Sequence, residues 1–152
     1  MNKSAEHLRR IVTREEPLLR AIADSFADAS PGAQRWSKKQ ELGHLVDSAT
    51  NNRVRFTKAA LEGQFEGPSY DARGWVELGA YAQMPWGDLV DLWKALNIAL
   101  ATLLSRIPEE RWTAECRIGE SPPAPLECVV DDYIQHMQHH LDHILSREHV
   151  RS

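Results

Sequence analysis

Four of the chain's seven histidines fall within eight residues, in the run Tyr133-Ile134-Gln135-His136-Met137-Gln138-His139-His140-Leu141-Asp142-His143-Ile144. Neutral imidazole is the commonest protein ligand for a transition metal. On an α-helix each residue advances by roughly 100°. With His136 set at zero, the apolar residues Leu126, Val129, Val130, Tyr133, Ile134, Met137, Leu141 and Ile144 span roughly 20° to 160°. His140 falls at about 40°, His143 at about 340° and His139 at about 300°. His136 and His140 therefore border the inner face, and His139 points most directly at solvent. The same two rings stand at i, i+4, one turn apart, where two imidazoles can bind one ion.

Two ligands hold an ion weakly, and a third must come from elsewhere. His44, in Glu41-Leu42-Gly43-His44-Leu45-Val46-Asp47, is the candidate. With Glu41, Ser48 and Asn52 it forms a polar stripe beside an apolar one, and polar groups at a buried face need partners. Three imidazoles leave coordination positions open, as catalytic sites do. With no cysteine among them, a late first-row divalent ion such as zinc or nickel suits the set. Spacing alone also fits a solvated histidine face with no ion.

These residues need rigid elements to carry them. Ser4 to Phe26 has apolar residues at helical spacing, with Pro17 placed to kink or divide the helix. Ser37 and Gln40 make a capping-box pattern that opens a second helix, which ends near Gly63. Trp75 to Ala82 reads as a short helix, and Asp88 to Arg106 as a third long one. The last runs from about Pro125 to near Glu148. Residues Glu109 to Pro123 read as a loop or short extended piece. No stretch alternates long enough to support a sheet. Four long amphipathic helices predict an all-α four-helix bundle with an additional short helix and irregular loops.

The composition agrees. The 152 residues suggest one domain over the whole length, and 42% hydrophobic with 26% charged residues is globular. Eighteen basic against 22 acidic residues, a charge of −4, argue against nucleic acid as a partner. No window is apolar enough to span a membrane. The N-terminus lacks the apolar core of a signal peptide, which predicts a cytoplasmic protein with Cys116 and Cys128 as reduced thiols.

Three motifs in register carry a family resemblance from about Ala33 to Ile144: Trp36-Ser37-x-x-Gln40-x-x-x-His44-Leu45-x-Asp47-Ser48, then Met84-Pro85-Trp86 before Leu89-x-x-Leu92-Trp93-x-x-Leu96-Asn97, then Tyr133-x-x-His136-x-x-His139-His140-x-x-His143-Ile144. Together they resemble the DinB/YfiT-like superfamily. The resemblance implies a four-helix bundle in which His44, His136 and His140 hold a divalent ion. His143, where relatives often carry Gln, is implied to be a non-ligand. It also implies a homodimer acting on a small-molecule substrate or thiol. The family includes thiol S-transferases using mycothiol, bacillithiol or glutathione, a maleylpyruvate isomerase, and proteins labelled as metal-dependent hydrolases.

An open metal position would bind a low-molecular-weight thiol as thiolate, or water with its pKa brought toward neutral. Asp47, Glu41 and Asp142 are candidate general bases, and Asp47 could instead orient a ligand. Arg53 and Arg55 are candidates for an anionic group of a thiol cofactor. Trp36, Trp86 and Trp93 read as core or pocket wall. The alternatives are a non-catalytic or stress-associated bundle whose ion is structural, and a metal-free bundle for protein association.

Overall fold

The computed structural model describes residues 2–32 and 34–147. Ser37 opens the helix that carries His44. Its hydroxyl accepts from the Gln40 backbone N–H at 3.2 Å, and the Gln40 side chain accepts from the Ser37 N–H at 2.9 Å. This helix, α3, spans Lys38–Glu62. It is preceded by α1 (Ser4–Arg20) and the single-turn α2 (Asp24–Asp28). It stops at Gly63, whose φ of 83° is left-handed, and the chain turns into β1 (Gln64–Gly67). A short α4 (Ala72–Gly79) and a 3₁₀ turn at Tyr81–Gln83 lead to α5 (Trp86–Ser105). Then β2 (Glu115–Ile118) and β3 (Ala124–Pro125) run straight into α6 (Leu126–Ile144).

Four long helices are as the sequence predicts, and the fold is a four-helix bundle. The expectation of no sheet is corrected. β1 pairs parallel with β2, Phe65 opposite Cys116, and β2 pairs antiparallel with β3, Cys116 opposite Ala124. Strands of four and two residues are too short to show a period-two pattern, and their partners lie far away in sequence. The first helix also ends earlier than expected, at Arg20, because the chain breaks between α1 and α2 rather than at Pro17. The short fourth helix starts three residues earlier than expected, at Ala72, where the Asp71 carboxylate caps it by accepting from the Gly74 N–H. The last helix ends at Ile144, short of the expected Glu148, which lies outside the described residues.

The sheet decides how the ligand helices meet. It joins the C-terminal end of α3 to the N-terminal end of α6, so the two helices run antiparallel. Phe56 meets Tyr133 in the middle, and Lys38 Nζ donates to the Ile144 carbonyl at 2.5 Å at the far ends. The second pair, α1 and α5, is tied by Arg20 to Asp91, Lys94 to Glu16, and the Trp86 indole N–H to the Leu19 carbonyl. Trp93, Phe56, Leu100, Leu126 and Met137 fill the core between the pairs. Inside it the Tyr133 hydroxyl donates to Asn97 Oδ1 at 2.6 Å, so two buried polar groups satisfy each other. At one corner the buried Glu15 carboxylate takes the Arg147 guanidinium and the Gln138 amide.

Gly43 is required by packing rather than by backbone conformation. A Cβ there would lie 2.1 Å from the Tyr81 ring. Alanine is the better helix former by roughly 1 kcal/mol, yet the clash dominates. Gly43→Ala is expected to lower stability by about 1–3 kcal/mol through overpacking. A lower urea midpoint with an unchanged slope would show it.

Candidate metal centre

Leu42, Leu45 and Val46 anchor α3 in the core. Their spacing turns Glu41, His44, Ser48 and Asn52 toward α6, and all four are buried. From α6, His136 and His140 come to meet them. The His44 and His136 Nε2 atoms are 3.2 Å apart. The three rings stand edge to face, with centroids 5.0, 4.9 and 4.6 Å apart. One nitrogen from each of His44, His136 and His140 lies within 4.8 Å of the others, so the three can hold one ion. The Trp36 ring sits 5.0 Å from His44 and walls one side.

Glu41 orients the cluster. Its carboxylate accepts from His140 Nδ1 at 2.8 Å and from His143 Nδ1 at 2.6 Å. That bond fixes the proton of His140 on Nδ1 and turns its Nε2 lone pair to the other two rings. His143 stands outside the ligand trio, consistent with the non-ligand role implied for it. His139 is exposed, as the helical wheel places it.

The electrostatics keep two of the three rings unprotonated. Burial, then the nearby charge of His140 and His136, pulls the His44 pKa down to about 4. Burial, then His140 and His139, brings His136 down to about 4 as well. Burial raises the Glu41 pKa, but the hydrogen bonds from His140 and His143 outweigh it and hold the carboxyl below its ordinary range. At neutral pH His44 and His136 are therefore neutral donors, with a carboxylate behind the cluster. Two nitrogens bound to one zinc at about 2.05 Å in tetrahedral geometry lie about 3.3 Å apart. The His44–His136 separation matches, so the residues present fit a divalent ion.

The other candidates are placed elsewhere. Asp47 is buried and accepts from the Tyr81 hydroxyl at 2.5 Å, so the carboxylate bonded to imidazole is Glu41. Burial raises the Asp47 pKa, opposed by the Tyr81 bond, and its Oδ2 has no partner among the described residues. The same holds for His44 Nδ1, one turn away on α3. Asp142 accepts from Gln138 at 3.0 Å and from Arg147 at 2.9 Å, in the corner with Glu15. Arg53 is exposed, whereas Arg55 is half-buried and lines a cleft with His136. Trp93 and Trp86 are core. Cys116 is buried, Cys128 exposed, and both are free thiols. Tyr81 and Tyr70 at the site carried no signal in the sequence. The link from Glu41 to His140 was foreshadowed only by its place three residues before His44.

Glu41→Gln removes the charge and one of the two imidazole bonds. It is expected to weaken metal affinity about 10- to 100-fold, the range for partners that orient ligands. Competition with a chromogenic chelator measures it.

Comparison with known proteins agrees with this geometry. The family model of the DinB superfamily matches residues 7–144. A protein of Oceanobacillus iheyensis, provisionally named a metal-dependent hydrolase, is 29% identical over 119 residues, covering 78% of this chain and 69% of its own. Among solved structures, YfiT from Bacillus subtilis, described as a probable metal-dependent hydrolase with an unusual four-helix bundle topology, superposes with a TM-score of 0.83 at 24% identity, over 95% of this chain and 85% of that one. A mycothiol-dependent maleylpyruvate isomerase superposes with a TM-score of 0.74 at 12% identity, and this chain spans 58% of its length. No helix among the described residues is long and apolar enough to cross a membrane.

Proposed function

This chain belongs to the DinB superfamily, and from that premise we propose that it is a metal-dependent enzyme whose ion, zinc or nickel, is held by His44, His136 and His140 and activates a small nucleophile, a thiol ahead of water. The observation that carries this reading is the convergence of three imidazole nitrogens, within 4.8 Å of one another, from two antiparallel helices. When bound, the ion would supply Lewis acidity, lowering the pKa of a thiol or water at an open position.

The residues favour the thiol. Both oxygens of Glu41 are engaged by imidazoles, and one oxygen of Asp47 is engaged by Tyr81. A thiol needs no separate base once a cation stabilises its thiolate. Water attack gains from a positioned base, and Asp47 Oδ2, three residues beyond His44 on α3, is a carboxylate oxygen with no hydrogen-bond partner among the described residues. Hydrolysis is thus the second reading, supported by the names of two relatives. In either case Glu41 keeps His140 in its donor tautomer, and Trp36 shields His44 from solvent.

The test is turnover of a chlorodinitrobenzene-type electrophile with a panel of low-molecular-weight thiols, beside a panel of esters, at full metal occupancy. Thiol-dependent turnover that chelation abolishes and added metal restores is the expected result. Ester turnover alone would favour the hydrolase. No turnover in either panel would overturn the enzyme and leave the ion as a structural staple.

A further inference from the structure

From the metal centre a cleft of about 330 Å³ runs along the groove between α3 and α6. Its floor on α3 is Ser48, Asn52 and Arg55, which follow His44 by four, eight and eleven residues. On α6 it is bounded by His136 and Val129, and β2 with the segment after it supplies an apolar wall that includes Ile118 and Pro122. One end therefore holds an imidazole of the metal centre, and the other holds a cation. Eleven residues are about 16 Å of helix axis, and helical side chains lean back toward the N-terminus, so Arg55 leans toward the centre.

Arg55 is a half-buried guanidinium that no acid among the described residues pairs with. Among the described residues its partners are the Pro68 carbonyl, at 3.2 Å from one terminal nitrogen, and the face of Tyr70, at 5.7 Å. Neither is an anion. Burial lowers its pKa, and Tyr70 opposes this only in part. Ser48, one turn beyond His44, also lies near enough to the Tyr70 hydroxyl to offset part of the rise that burial gives its pKa. A guanidinium has five N–H donors, and the carbonyl takes one. Enclosing such a group without a counter-ion is costly unless a ligand brings one.

We propose that this cleft binds a small molecule carrying a carboxylate, which Arg55 holds while the molecule's other end reaches the metal centre. A carboxylate suits the fork of donors better than a phosphate dianion does. Only one arginine faces the cleft, and Asp132 also lines it, unpaired with Arg55. The apolar wall suits a hydrocarbon stem between the two ends. This rests on the metal-centre reading for the reacting end and on Arg55 alone for the acid end.

The experiment loads the untagged protein with cobalt(II) and titrates it with 6-mercaptohexanoate and with 6-mercaptohexanol, following the thiolate-to-cobalt absorption band. The acid is expected to bind about tenfold or more tighter than the alcohol. Arg55→Met should bring the two within twofold, while the exposed control Arg53→Met keeps the preference. Equal binding in the parent protein, or a preference that survives Arg55→Met, overturns the proposal. A parallel arm needs neither metal nor variant. In metal-free protein, hexanoate but not hexanol should shift the Arg55 Nε–Hε NMR resonance, and no shift with hexanoate overturns the proposal too. If cobalt is not taken up, or neither thiol moves the band, the metal reading fails by itself, and the NMR arm still decides Arg55.

Discussion

Replacing His136 with alanine is expected to empty the metal centre. The parent protein, purified without an affinity tag, should carry one zinc- or nickel-class ion per chain by elemental analysis. His136→Ala leaves His44 and His140 as the only imidazoles of the trio. Removing an outer partner of a ligand costs up to about a hundredfold in affinity, and removing a ligand should cost more, so occupancy at micromolar metal should fall below about one-tenth. His140→Ala should do the same. His139→Ala is the control, since that ring is exposed, and it should keep its metal. The loss is visible in stability as well. A hundredfold excess of ion over its dissociation constant stabilises by about 2.7 kcal/mol, and this increment should vanish in His136→Ala. Full occupancy in that variant would defeat the proposed ligand set.

The second large effect is with acid. His44 and His136 titrate near 6.5 when unfolded but only at about 4 in the folded, metal-free protein, because burial and neighbouring rings oppose their charging. Between those values the unfolded chain binds more protons than the native one. Stability is therefore complete above pH 6.5 and is lost as pH falls toward 4. Two independent, fully expressed shifts would sum to about 7 kcal/mol. Solvent at the half-buried His136 and repulsion between the first and second protons reduce this to an expected loss on the order of 3 kcal/mol. Urea midpoints of chelated protein at pH 7, 5.5 and 4.5 measure it. Glu15, Glu16, Asp24 and Glu41, all held below their ordinary pKa, contribute only at the acid end of this range. A His44→Gln, His136→Gln double variant should flatten the slope between pH 6.5 and 5. An equally steep slope in that variant would show that the imidazoles are not responsible.

What the sequence revealed was whatever repeats along a helix. The i, i+4 spacing of His136 and His140 and the angle of each ring were readable because α6 is regular. The Ser37 and Gln40 cap was readable because its partners lie within one turn. The bundle followed from the apolar stripes. The sheet was hidden because Phe65 and Cys116 belong to segments with no local pattern. The role of Asp47 was hidden for the same reason, as its partner Tyr81 sits in a 3₁₀ turn beyond α4. Glu41 stood in the right stripe, but its bonds to His140 and His143 depend on the antiparallel pairing of α3 and α6, which the sheet imposes. The uncompensated charge of Arg55 appears only once its partners are seen to be a carbonyl and an aromatic face.

The wide separation of the ligands along the chain also sets an order of events. His44 leaves the ribosome 92 residues ahead of His136, and His140 follows four residues later, one turn along the same helix. A nascent α3 alone offers one imidazole, and a free α6 offers two on a single face. With the proposed ligand set, ion capture at full strength would wait until both helices have docked, so metallation would come late and report a finished bundle.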